Sequence, residues 1–91
     1  MQPVSSVTAF LAHHLARSPV DAEVREMLEI LDPIERRLAE ELARTPRRED
    51  RLRRLAEQTG TPWEPARYDR IEARVLRRLS HELTRRGWLQ P

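Results

Sequence analysis

The chain has no cysteine, no lysine and only two glycines, and aromatic residues make up 4% of it. Without cysteine there is no disulfide, no zinc–thiolate site and no thiol nucleophile. Gly60 and Gly87 stand alone, so no glycine-rich loop is available to cradle a phosphate. No apolar run approaches the roughly 20 residues a membrane-spanning helix needs. The first residues lack the basic and cleavable pattern of a secretory signal, and the expectation is a soluble, cytoplasmic protein with no membrane contact. The absence of lysine explains the pI near 10.3 at a net charge of only +2. All 17 basic residues are arginine, which stays charged to very high pH, so a small positive excess lifts the pI far. A G- and C-rich codon usage produces the same bias, and the pI is therefore a weak sign of nucleic-acid binding.

What remains is 91 residues, 35% charged and 38% apolar, in the range of a single helical domain. About 25 side chains are available for a core, a modest number that favours a protein partner or a homodimer. The charge is divided. Residues 1–44 carry a net −3 and residues 45–91 a net +5. Such a division gives an anion-binding half, or lets acidic and basic halves meet within a dimer.

Four short polar residues precede proline: Ser18-Pro19, Asp32-Pro33, Thr45-Pro46 and Thr61-Pro62. A polar cap followed by proline is a helix-start pattern, because proline lacks an N–H that would go unused there. Thr61 with Glu64 fits a capping box, and Glu35 suits the positive end of a helix starting after Asp32. Apolar spacing then gives an all-α bundle of about five helices. The first covers about 4–17, with Val7, Leu11 and Leu15 inward. The second covers about 19–31, with Val20, Val24, Leu28 and Leu31. The third covers about 33–44, with Ile34, Leu38 and Leu42, and the fourth about 46–59, with Leu52, Leu55 and Ala56. The fifth starts near Pro65 and runs to Arg86. Gly60 and Gly87 are the expected stops, with Trp88 folding back on Leu83. Residues 1–31 form an acidic helical pair and 32–91 a basic half of one domain.

On the fifth helix, Tyr68, Ile71, Val75, Leu76, Leu79 and Leu83 share a wide apolar face. Arg67, Arg70, Arg74, Arg77, Arg78, Arg85 and His81 fall in an arc of about 100° that contains no acid. They form a ridge of roughly 27 Å along one side. Like charges at i,i+4 cost a few tenths of a kcal/mol, so an anionic ligand is one reason for such a row, and simple solvation is the other. Arg47, Arg51 and Arg54 make a shorter basic stripe on the fourth helix, diluted by Glu49, Asp50 and Glu57. Trp63, Tyr68 and Trp88 flank the basic helix as candidate interface or base-stacking aromatics, with a core role favoured.

The segment Leu31-Asp-Pro-Ile-Glu35-Arg-Arg-Leu38-Ala-Glu-Glu-Leu42-Ala-Arg-Thr-Pro46, then Leu55, Gly60, Ile71-Glu72-Ala-Arg-Val75, Leu79 and Leu83, resembles a winged-helix, helix-turn-helix DNA-binding domain of the OmpR/PhoB output type. "VLRRLSHELTRRGWL" resembles the phrase that closes a recognition helix in that class. The likeness covers residues 31–88 and lacks the preceding strands and the wing. It implies that the last helix enters the major groove, with Arg67, Arg70, Arg74, Arg77 and Arg78 on phosphates and guanine edges, and a role in transcription regulation.

Other constellations are poorer. His13 and His14 are neighbours with no acid or third histidine within a turn, so no metal is expected. Glu40-Glu41 and Glu49-Asp50 are adjacent pairs that diverge on a helix, and no serine has a nucleophile's surroundings. The expectation is a non-enzymatic protein without cofactor or small-molecule substrate. It either binds DNA through the arginine ridge, or acts as a helical interaction module (an adaptor, chaperone-like subunit or dimerising bundle) whose basic face meets an acidic protein.

Overall fold

The computed structural model describes residues 6–15 and 22–89. Five helical segments are present among them, and no strand. The first, α1, is a short α-helix Val7–Phe10 that continues as a π-helical stretch Leu11–Leu15. Ser6 caps it, its hydroxyl accepting from the Ala9 N–H at 3.0 Å. Val7, Leu11 and Leu15 are buried as their spacing implies. The second segment, α2, is described over Ala22–Leu28 and ends earlier than expected, with a turn carrying Leu31 into the core. The Ser18-Pro19 start and Val20 lie outside the described residues.

The third helix, α3, is Pro33–Arg44, with the expected bounds. The capping box that forms here is Asp32 with Glu35. Asp32 Oδ1 accepts from the Glu35 N–H at 2.9 Å, and Glu35 Oε1 accepts from the Asp32 N–H at 3.0 Å. The inward face is rotated from the expected one. Ile34 is 36% exposed, whereas Glu35 is fully buried beside Leu38 and Ala39. The shift puts the capping carboxylate where two arginines of the last helix reach it, which charge-blind periodicity does not anticipate.

The fourth helix, α4, is Arg48–Thr59 and the fifth, α5, is Pro65–Arg85. Two expected caps are absent. Thr45 belongs to the end of α3, its hydroxyl donating to Glu41 Oε2 at 2.9 Å and its N–H to the Glu41 carbonyl at 2.8 Å. Helix α4 therefore starts behind Arg47, without a side-chain cap. The Thr61–Glu64 box is not formed either. Pro65 pushes Glu64 into extended backbone, φ −71° and ψ 140°, and α5 begins only at Pro65.

Both glycine stops are in place. Gly60 has φ 72° at the end of α4 and Gly87 has φ 76° after α5. The Trp88 N–H donates to the Leu83 carbonyl at 2.8 Å and the Gly87 N–H to Thr84 at 3.1 Å, the paired bonds of a Schellman end. Helix α3 packs against α1, α4 and α5. Around it Phe10, Leu11, Met27, Leu31, Leu38, Leu55, Tyr68, Val75, Leu79 and Leu83 form one core.

Candidate binding face

Helix α5 turns Tyr68, Ile71, Val75, Leu79 and Leu83 inward, which leaves its arginine row on the outside. The row is continuous on the helix but not in its chemistry. Arg74 Nε donates to Glu35 Oε2 at 2.8 Å, and an Arg78 guanidinium nitrogen donates to Glu35 Oε1 at 3.1 Å. A second Arg74 nitrogen lies 3.9 Å from Asp32 Oδ2. The acid missing from the α5 face is thus supplied by α3, across the core boundary. Further along, Arg85 and Arg86 both grip Glu82, holding its carboxyl down at about 2.

Arg67, Arg70, Arg77 and His81 have no ion pair among the described residues. Arg67 lies over the Trp63 ring, its guanidinium carbon 4.7 Å from the centroid. Such stacking leaves the guanidinium edge open to a carboxylate or phosphate. Arg70 and Arg77 are exposed and project freely.

The shorter stripe on α4 is mostly structural. Arg51 donates through Nε to the Tyr68 hydroxyl at 2.7 Å, and through one terminal nitrogen to the Thr45 and Pro46 carbonyls at 2.9 Å each. Arg54 Nε donates to Glu41 at 3.0 and 2.8 Å. Burial pushes the Glu41 carboxyl up, but Arg54, Thr45 and Gln58 together overcome it and leave the group below its ordinary range. Arg47 remains exposed at the start of α4.

Of the three flanking aromatics, Tyr68 and Trp63 are internal and Trp88 is half-buried. Tyr68 is fully buried and Trp63 nearly so, with the indole N–H donating to the Thr59 hydroxyl at 3.0 Å. Trp88 lies against Phe10 and His14, at ring separations of 5.4 and 5.7 Å. Tyr68 and Trp63 present no free ring face for a base to stack on, whereas Trp88 stays partly exposed. His13 and His14 meet edge to face at 4.6 Å, with His14 buried on the Phe10 side. Among the described residues no cluster of three histidine, aspartate or glutamate side chains is arranged to hold a metal, and no helix is long and apolar enough to cross a membrane.

One feature of this face was hidden in the sequence. The start of α3 and the first half of α5 enclose an open groove of about 690 Å³. Its apolar lining comes from Pro33, Ile34 and Ile71, its cationic lining from Arg67, Arg70 and Arg74, and its one acid is Asp32, beside Arg74. Ile34 is one of two large apolar side chains that stand exposed among the described residues, with Ile30 the other. The one signal for it in the sequence is Glu35 at the third helical position, whose demand to face the core turns Ile34 outward. No family model, curated protein or solved structure matches the chain.

Proposed function

We propose that this protein is a non-enzymatic helical interaction module whose basic α5 face meets an acidic protein partner. The observation that carries this reading is the open groove in which Pro33, Ile34 and Ile71 lie beside Arg67 and Arg70. A surface built for a phosphate backbone gains from a row of free cations and nothing from exposed isoleucine. Here Arg74, Arg78 and Arg85 already share carboxylates, so the unpaired cations are fewer than the ridge implies. Apolar surface flanked by arginine is the composition of a protein interface, where arginine is enriched and an apolar centre supplies most of the affinity.

A second reading is DNA binding. Its support is Arg70 and Arg77, which lie exposed on one side of α5 without ion pairs among the described residues, together with the winged-helix resemblance of residues 31–88.

One experiment separates them. A labelled mixed-sequence duplex, a single strand and polyglutamate are titrated at about 50 and 200 mM salt against the native chain and the Arg70→Ala/Arg77→Ala variant. The interaction module binds polyglutamate through these two arginines and leaves the duplex and single strand unbound. Duplex binding that falls steeply with salt and disappears in the variant replaces it with the nucleic-acid reading.

A further inference from the structure

We infer that the groove between α3 and α5 receives an amphipathic acidic helix from the partner, with an apolar side chain of that helix seated between Ile34 and Ile71. The inference rests on the interaction-module reading and adds the site, the secondary structure and the side-chain pattern of the occupant.

The groove's shape excludes a small molecule first. Ligand pockets enclose most of a small ligand's surface, whereas this groove of about 690 Å³ lies open along its length. It has room for several side chains of a chain segment laid across it. Its walls then choose between an extended and a helical segment. An added strand draws its affinity from an unpaired backbone edge. Both walls here are helices, whose N–H and C=O groups are satisfied internally apart from their ends, and the end of α3 is closed by the Asp32–Glu35 box. The start of α5 has no side-chain cap and offers N–H groups at one end of the groove, but along its length side chains supply the contact. A helix presents side chains in this way, with anchors at i, i+3, i+4 and i+7 on one face.

Charge sets the rest of the pattern. The cationic lining spans Arg67 to Arg74, two turns of α5 and about 10 Å. Arg70 has no acid partner among the described residues, Arg67 lies over Trp63 with its edge free, and Arg74 is shared with Glu35 and Asp32. Two glutamates or aspartates flanking the apolar anchor, three or four residues apart, match Arg67 and Arg70. A basic or neutral helix meets the same arginines unpaired. Ile34, 36% exposed, and exposed Pro33 lie beside them, incompletely covered by the described residues.

The test uses the full chain and three synthetic peptides, each a two-to-three-turn helix. One carries leucine at i and i+4 flanked by glutamates, one has the leucines replaced by serine, and one has the glutamates replaced by glutamine. Binding is read by calorimetry, with light scattering on the free protein. The expected result is that the leucine–glutamate helix binds and each replaced peptide binds at least about tenfold more weakly, the loss that one buried apolar side chain or a charge pair accounts for. Ile34→Ser lowers affinity roughly tenfold and Arg70→Ala several-fold. Ile30→Ser, at an exposed position outside the groove, leaves it unchanged. All three positions are exposed, so the variants keep the fold, and circular dichroism checks this.

Equal binding of the leucine and serine peptides, or binding unaffected by Ile34→Ser, overturns the groove assignment. If polyglutamate still binds through Arg70 and Arg77, the interaction-module reading survives that failure. Self-association that Ile34→Ser abolishes also overturns it, because the occupant is then a second copy of this chain.

Discussion

Arg74 on α5 and Glu35 on α3 lie 39 residues apart in the chain, and 2.8 Å separates their bonded atoms. Glu35 is fully buried, and its second oxygen takes both Arg78 and the N–H of Asp32. One carboxylate thus caps α3, ties α3 to α5 and neutralises the middle of the arginine row. The two arginines stay 43% and 47% exposed, so the charges are only half withdrawn from water.

That arrangement predicts a difference between two replacements of Glu35. Glu35→Ala removes a capping partner, leaves a void and frees two guanidinium groups that rehydrate, at a cost of about 2–3 kcal/mol. Glu35→Leu loses the same cap and ion pairs but fills the space, so it avoids the void and costs less, the half-exposed guanidinium groups rehydrating in either variant. Urea denaturation of the three proteins checks the order. A leucine variant less stable than the alanine variant contradicts it.

Tyr68 gives a second prediction, and its position as the single tyrosine makes it clean to read. Burial pushes the phenol up to about 12, Glu72 adds to the shift and Arg51 opposes it. The folded state therefore favours the protonated phenol. Its contribution to stability is complete below the ordinary value of 10.0 and is lost as the pH rises towards about 12. Phenolate absorbance should appear near pH 12 in the native protein and near 10 in denaturant. Titration at the same pH in both states refutes the burial account.

Glu82 acts at the other end of the scale. Arg85 first, then Arg86, hold its carboxyl at about 2. A depressed carboxyl stabilises the fold above its unfolded value, near 4.5, and the benefit disappears as the pH falls to about 2. Carbon NMR should place the native titration of Glu82 near pH 2. The Glu82→Gln variant should lose less stability than the native chain across this acid range.

Gly87 tests the end of α5. A Cβ added there meets nothing within 4 Å, so the only penalty of Gly87→Ala is the backbone at φ 76°. The expected loss is about 1 kcal/mol, visible as a fall in Tm. A neutral substitution would show that the Schellman end does not hold Trp88 against Phe10 and His14.

Much of this architecture is local, and the sequence determined it alone. Four-apart leucines, the proline at the start of α3 and the two glycine stops specify helix bounds through backbone sterics and unpaired N–H and C=O groups, which depend on neighbours in the chain. Where two starting patterns competed, local rules were not enough. Thr45 capped the helix behind it rather than the one ahead, and Pro65 displaced the start that Thr61 offered. The binding face was the least legible part. Helix-wheel arithmetic found an arc without acids because it counts only one helix, and Glu35 and Glu41 reach Arg74, Arg78 and Arg54 from another. Periodicity likewise placed Ile34 inside, and only the tertiary structure turned it outward. A buried carboxylate must have its cations and N–H partners, and satisfying Glu35 outweighs burying one more isoleucine.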